Sequence, residues 1–210
     1  MRALKSTAVR QPDEYGVDHM LDKSVPYAGL YMHRKAGLPI PEFSLPEGYR
    51  FSFFSDGDEA GWARIEASVL EFDSRFAALL HFKEKFMPFA DELYRRCVFI
   101  ETMHGEKIAT ATAWWTWVEG SRRPWLYWVG ADPRYQRLGL GKALVSKALS
   151  VMAELEGDVD FYLHTQTWSY KAIGIYKAHG FQPTDEKALY KERRDNYKRA
   201  MRILKRLERR

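Results

Sequence analysis

Residues Arg134–Leu149 read RYQRLGLGKALVSKAL, with Gly139 and Gly141 standing immediately ahead of an apolar pattern of helical period. Glycine costs a helix about 1 kcal/mol relative to alanine. A pair at a helix start therefore makes either a slack turn or a main chain that curves closely around an anion. Two phosphate loops can be tested by spacing. The G-x-x-x-x-G-K-[ST] loop finds Gly141-Lys142 but also Gln136 and Ala143, and G-x-G-x-x-G finds Leu144 where its third glycine belongs. Both fail. What remains is a strand, Asp132-Pro133, the run Gln136–Gly141, and a helix with Leu144, Ala148, Val151, Met152 and Leu155 on one face. Amides at a helix N-terminus, with about half a positive charge from the macrodipole, attract phosphate. Arg137 and Lys142 add formal charge. From the residues alone, the anion site and the plain turn both stay open.

Working outward, CVFIETM from Cys97, KIATATAWWTWV from Lys107 and PWLYWVGA from Pro124 read as successive strands, the first two joined at His104–Gly105–Glu106. Alternation sends Trp115 and Trp117 to one face and Trp114 to the other. These rings either pack under helices or line a pocket for a cationic or aromatic amine. Tyr49–Ser55 (YRFSFFS) is an alternating aromatic strand. Asp58 is placed to cap a helix whose Trp62, Ile65, Val69 and Phe72 recur at helical spacing, and Asp73 or Ser74 to cap a second, which Pro88 breaks or restarts. Downstream come a strand DFYLHTQ, a helix SYKAIGIYKAH closed by Gly180, and a short strand FQPT. The order β-α-α-β-β-β-α-β-α-β predicts an α+β fold, a mixed sheet with helices packed over it.

Residues 1–47 carry prolines at 12, 26, 39, 41 and 46, and only Tyr27–Lys35 reads as a strand. They are expected to form an N-terminal extension packing on a domain of residues 48–184, followed by a basic C-terminal helix over 185–210. Residues 187–210 hold eleven Lys and Arg against three acids, a net +8, so the rest of the chain is −3 although the whole is +5. Tyr197, Ala200, Met201, Ile203, Leu204 and Leu207 form a stripe that would dock this helix on the body. Its charged face is an unspecific electrostatic footprint, and nucleic acid is not the expected partner. No apolar run reaches the roughly 18 residues of a membrane span, and the first twenty residues lack the h-region of a signal peptide. With Cys97 the single cysteine among 210 residues, a cytoplasmic protein without disulfides is expected. His33, His81 and His179 show no metal-ligand spacing, so no metal is expected.

The run Gln136-Arg137-Leu138-Gly139-Leu140-Gly141 resembles the Q/R-x-x-G-x-G/A motif of the GNAT acetyltransferase superfamily, and LHTQTWSYKAIGIYKAHGF resembles that family's following strand and helix. The resemblance spans residues 48–183 and is best over 97–181. It implies a GNAT-like fold, a central mixed, mostly antiparallel sheet flanked by helices and splayed where CoA enters, with acetyl-CoA as co-substrate. It implies that the amides of Arg137, Leu138, Gly139, Leu140, Gly141 and Lys142 hold the CoA pyrophosphate. Val129 and Ala131 would pair with the pantetheine arm, with the Val129 N–H polarising the thioester. Ser169 stands where relatives often carry an Asn that contacts CoA, and Tyr176 where a tyrosine donates a proton to the departing sulfur. Many relatives carry a Glu early in the strand before the loop; here Trp125–Trp128 has no carboxylate. His164 is the first candidate base, ahead of Glu66, Glu101 and Glu119, which read as solvated or paired. Gly174 reads as a site of close packing against a neighbour or ligand. The implied function is N-acetyl transfer by direct attack in a ternary complex, onto a small-molecule or peptide amine, with a homodimer left open. The alternatives are a non-catalytic acyl-CoA-binding sensor or partner module, and a nucleic-acid-associated protein using the basic tail.

Overall fold

Successive residues of a strand face opposite sides of its sheet, so the partners of Cys97–Thr102 show what covers each side. The computed structural model describes residues 21–185 and 196–209. In it Val98 and Ile100 join one apolar cluster, while Cys97 and Phe99 join another. The sheet is buried on both faces. In chain order the elements are β1 (Gly29–Arg34), β2 (Tyr49–Phe53), α1 (Glu59–Ser68), α2 (Arg75–Lys85), α3 (Ala90–Arg96), β3 (Cys97–Thr102) and β4 (Lys107–Val118). There follow β5 (Ser121–Ala131), α4 (Leu140–Glu156), β6 (Phe161–Gln166), α5 (Tyr170–Ala178), β7 (Gln182–Thr184) and α6 (Tyr197–Leu207). One face carries α1, α2 and α3 through Trp62, Phe82 and Leu93. The other carries α4, α5 and α6 through Leu144, Ile173 and Ala200.

The seven strands lie in the order β2-β3-β4-β5-β6-β1-β7. All neighbours are antiparallel except β5 and β6, which run parallel and share a single registered pair, Trp125–Tyr162. This is the expected mixed, mostly antiparallel sheet, opened between two adjacent strands.

The strand expected over Tyr27–Lys35 forms as β1, but inside the sheet, between β6 and β7. The segment expected to pack on a domain thus supplies one of its interior strands. The physical reason is main-chain pairing: β1 offers six registered partners to β6 and three to the short β7, which do not pair with each other. The buried Arg34 fixes the junction, its Nε donating to His179 O at 2.9 Å and its Nη2 to Leu38 O at 2.6 Å.

Ser74 caps α2, its Oγ accepting from Ala77 N at 3.1 Å, and Pro88 lies in the tight turn that separates α2 from α3. Asp58 precedes α1 but does not cap it. Its own backbone is already helical (φ −72°, ψ −12°), and its carboxylate instead accepts from Ser55 N at 2.9 Å and Ser55 Oγ at 3.0 Å. The Trp114 and Trp115 rings stack at 4.2 Å rather than parting to opposite faces. The Arg96 and Arg122 guanidinium groups, 5.1 and 4.6 Å from the Trp115 ring, hold it over its neighbour by cation–π attraction.

In α6, Ala200 and Leu204 are buried, and Tyr197, Met201, Ile203 and Leu207 pack against the same cluster, as the stripe requires. Residues 186–195, which carry part of the basic tail, lie outside the described residues. Among the described residues no helix is long and apolar enough to cross a membrane.

Candidate active site

The cleft begins with a slip in strand pairing. Thr110 faces Gly130 and Thr112 faces Tyr127, so Ala111 alone opposes two residues, Trp128 and Val129. This is a β-bulge, which bends the strand and re-aims its main chain. Trp128 takes φ +48° to make it, a left-handed conformation uncommon for so bulky a residue. Past Trp125 the bulged strand also parts from β6. The resulting cleft encloses about 180 Å³, and its walls include Val129, Gly130, Leu163, His164, Ser169 and Tyr176.

The glycine loop follows at the end of β5. Asp132 organises it, its carboxylate accepting from Arg134 N at 3.0 Å and from Arg64 Nη1 at 2.8 Å. Burial pushes that carboxyl up, but the Arg134 hydrogen bonds and the Arg64 charge outweigh it and hold Asp132 below the usual carboxylate range. Gln136 Nε2 donates to Ala131 O at 2.9 Å and folds the loop back over the strand. Arg137 and Gly139 then take φ +66° and +82°, and α4 starts at Leu140. Lys142 N and Ala143 N both bond to Gly139 O, which leaves the Leu140 and Gly141 amides at the helix end. Gly139→Ala is expected to cost about 1–2 kcal/mol for a left-handed Cβ, read as a lowered melting temperature. Gly141 has a different reason: a Cβ there would meet Ile175 Cδ1 at 3.0 Å, so the glycine lets α4 approach α5. The same two helices are joined by the buried His179, whose Nε2 lies 2.9 Å from Ser146 Oγ and 3.1 Å from Lys142 O.

Tyr176 projects from α5 into the cleft, almost fully buried, and meets Phe181 edge to face at 6.3 Å. Burial, then the charges of Glu71 and Glu66, push its phenol well above the usual range. Ser169 precedes α5, makes no capping bond from its side chain, and lines the cleft. His164 is exposed on β6 at the cleft wall, its ring 4.7 Å from that of Tyr31.

The carboxylate that the sequence undervalued is Glu66. Expected to be solvated or paired, it is 1% exposed on α1, lines the cleft, and has a buried Oε1 without a hydrogen-bond partner. Its carboxyl is raised well above the usual range by burial and by the Glu71 charge. Glu71 sits at the cleft rim, accepts from Gln166 Nε2 at 3.1 Å, and is also raised by burial. The signal was faint but present: Glu66 follows Trp62 by four residues, on the apolar face of α1. Glu101 is paired, with Arg50 at 2.7 Å and with Lys107, and Glu119 lies in the turn between β4 and β5. A Cβ added at Gly174 would have nothing within 4 Å, so this glycine is not required by packing. Gly174→Ala is expected to raise stability by about 0.5–1 kcal/mol, measured by denaturant midpoint.

The chain belongs to the Acetyltransferase (GNAT) family, whose sequence profile matches residues 62–181. A comparison with curated proteins gave no match. Among solved structures, a GCN5-related N-acetyltransferase from Sphaerobacter thermophilus is similar with TM-score 0.60 and 19% identity, over 76% of this chain and 49% of its own. A GNAT-family acetyltransferase from Colwellia psychrerythraea is similar with TM-score 0.56 and 8% identity, over 76% and 54%. The chain thus spans about half the length of each, and at these identities the likeness concerns the fold.

Proposed function

We propose that this chain transfers the acetyl group of acetyl-CoA directly to a primary amine, small-molecule or peptidyl, in a ternary complex. The observation that carries this reading is the convergence of the Val129 bulge and Tyr176 on one cleft between parting parallel strands. In the proposed arrangement the loop amides, with those of Leu140 and Gly141 left at the helix end, hold pyrophosphate beside the Lys142 side chain, Val129 and Ala131 pair with pantetheine, and Ser169 contacts the arm. The Val129 N–H polarises the thioester carbonyl, and Tyr176 protonates the leaving sulfur. Direct attack is favoured over an acyl-cysteine because burial pushes the Cys97 thiol up to about 12, far from a thiolate at neutral pH. A free buried cysteine also suits a cytoplasmic setting.

The test is an acceptor screen. The chain is incubated with acetyl-CoA and a panel of polyamines, amino acids, aminoglycosides and peptides, following free CoA and acetylated product. Acceptor-dependent release of CoA is expected. Binding of acetyl-CoA with no amine-dependent release would favour the non-catalytic acyl-CoA-binding reading.

A further inference from the structure

Deprotonation of the acceptor needs a group that the proposed machinery has not yet supplied. An alkyl ammonium, with a pKa of about 10.4, is almost wholly protonated at neutral pH and has no lone pair to attack with. A base must stand within reach of the acetyl carbon. Glu66 is a carboxyl buried in the cleft wall, with one oxygen unpartnered. A Cβ on Gly130 would lie 2.7 Å from its Oε1, so the carboxyl occupies the space that this glycine leaves beside the bulge. Trp125, Tyr127 and Trp128 line the same cleft, and aromatic faces attract an ammonium. Glu71 stands at the rim.

Resting on the acetyl transfer proposed above, we infer that Glu66 is the catalytic base that takes the proton of the incoming amine, and that the acceptor is a primary alkylamine arriving as its ammonium past Glu71. The ammonium is the missing partner of a buried carboxylate. Its N–H proton passes to Glu66, and the freed lone pair forms the C–N bond to the acetyl carbon. Collapse of the adduct breaks the C–S bond. Sulfur takes a proton from Tyr176, which recovers one from the adduct nitrogen. Glu66 releases its proton to solvent past Glu71. Ammonium and acetyl-CoA thus give acetamide, CoA thiol and one proton.

The titratable groups around Glu66 are Glu71 beyond α1, Cys97 on β3, Tyr127 on β5, His164 on β6 and Tyr176 on α5. Burial and the Glu71 charge raise the Glu66 carboxyl. The basic form is therefore lost as pH falls through a value above the ordinary carboxylate range, and the acid limb of kcat/KM lies there.

The experiment compares the full wild-type chain with Glu66→Gln and Gly130→Ala, using n-butylamine and trifluoroethylamine, which is already neutral at the assay pH. Glu66→Gln is expected to lower kcat/KM for butylamine about 100-fold, a general-base effect, and to change trifluoroethylamine less than about threefold. Gly130→Ala keeps the carboxyl but displaces it, and should show the same selectivity with a fall of about tenfold. Acetyl-CoA affinity of Glu66→Gln should be unchanged, and its melting should not fall, because the amide replaces a buried carboxyl that lacks a hydrogen-bond partner at Oε1. Equal losses for both amines, or none, would overturn the role of Glu66. Failure of the wild type with butylamine, while other amines react, would overturn the acceptor class. Failure with every amine would overturn the acetyl transfer itself.

Discussion

Tyr176→Phe is expected to lower kcat about a thousandfold, within the range of a lost general acid, while acetyl-CoA binds as before. The two outcomes separate because the substitution removes one oxygen and keeps the ring. Tyr176 is 7% exposed and packs with Ala172, Ile173 and Phe181, contacts a phenylalanine retains. The hydroxyl stays protonated because a buried phenolate, with Glu71 and Glu66 nearby, is disfavoured. A phenol so raised is a weak acid toward a thiolate, whose thiol has a pKa of about 8.5 by analogy with cysteine. In the proposed mechanism it works as a relay, giving its proton to sulfur as it takes one from the cationic nitrogen of the adduct. The sign of the pH dependence follows. Raising the phenol moves its loss above its ordinary range, so kcat should show no alkaline limb from Tyr176 below about pH 10. Single-turnover mixing with acetyl-CoA isolates the chemical step. An unchanged rate there would pass the acid role to solvent.

How far the sequence carried this site depended on the range of the interaction involved. The glycine loop was legible because its requirements are local: positive φ at Gly139 and the exposed amides of a helix start lie within a few residues. The same holds for the Ser74 cap and the Pro88 break. The sheet's opening was visible only through the family resemblance, because it depends on Trp125 meeting Tyr162 across 37 positions of chain and then parting. β1 was legible as a strand but not as an interior one; nothing in Tyr27–Lys35 says which edges it will fill. Glu66 was visible as a residue and misread as an environment. A glutamate one helical turn after a core tryptophan is either snorkelling to water or truly buried. The choice was made by Gly130, sixty-four positions away, whose missing side chain leaves room for the carboxyl.

Trp62→Ala should cost about 3–5 kcal/mol of folding stability, the range for deleting a large buried aromatic. Trp62 has no exposed surface and lies 5.0 Å from Phe82, 6.0 Å from Phe86 and 5.7 Å from Trp128, ring centre to ring centre. Its removal opens a cavity that rings on α2 and β5 must fill by moving. The Trp128 contact extends the effect to the site, since that residue makes the bulge that aims Val129. Glu66 stands one turn along the same helix. Stability and acetyl transfer are therefore expected to fall together, the first seen as a lower urea midpoint with an unchanged slope. Where the alanine variant does not fold, Trp62→Phe keeps most of the volume and should cost less than about 1.5 kcal/mol. It also removes the Nε1 atom, which is buried without a hydrogen-bond partner, so part of the packing loss is offset. A phenylalanine variant as unstable as the alanine one would show that the full indole shape, rather than aromatic bulk alone, holds α1 against the bulge.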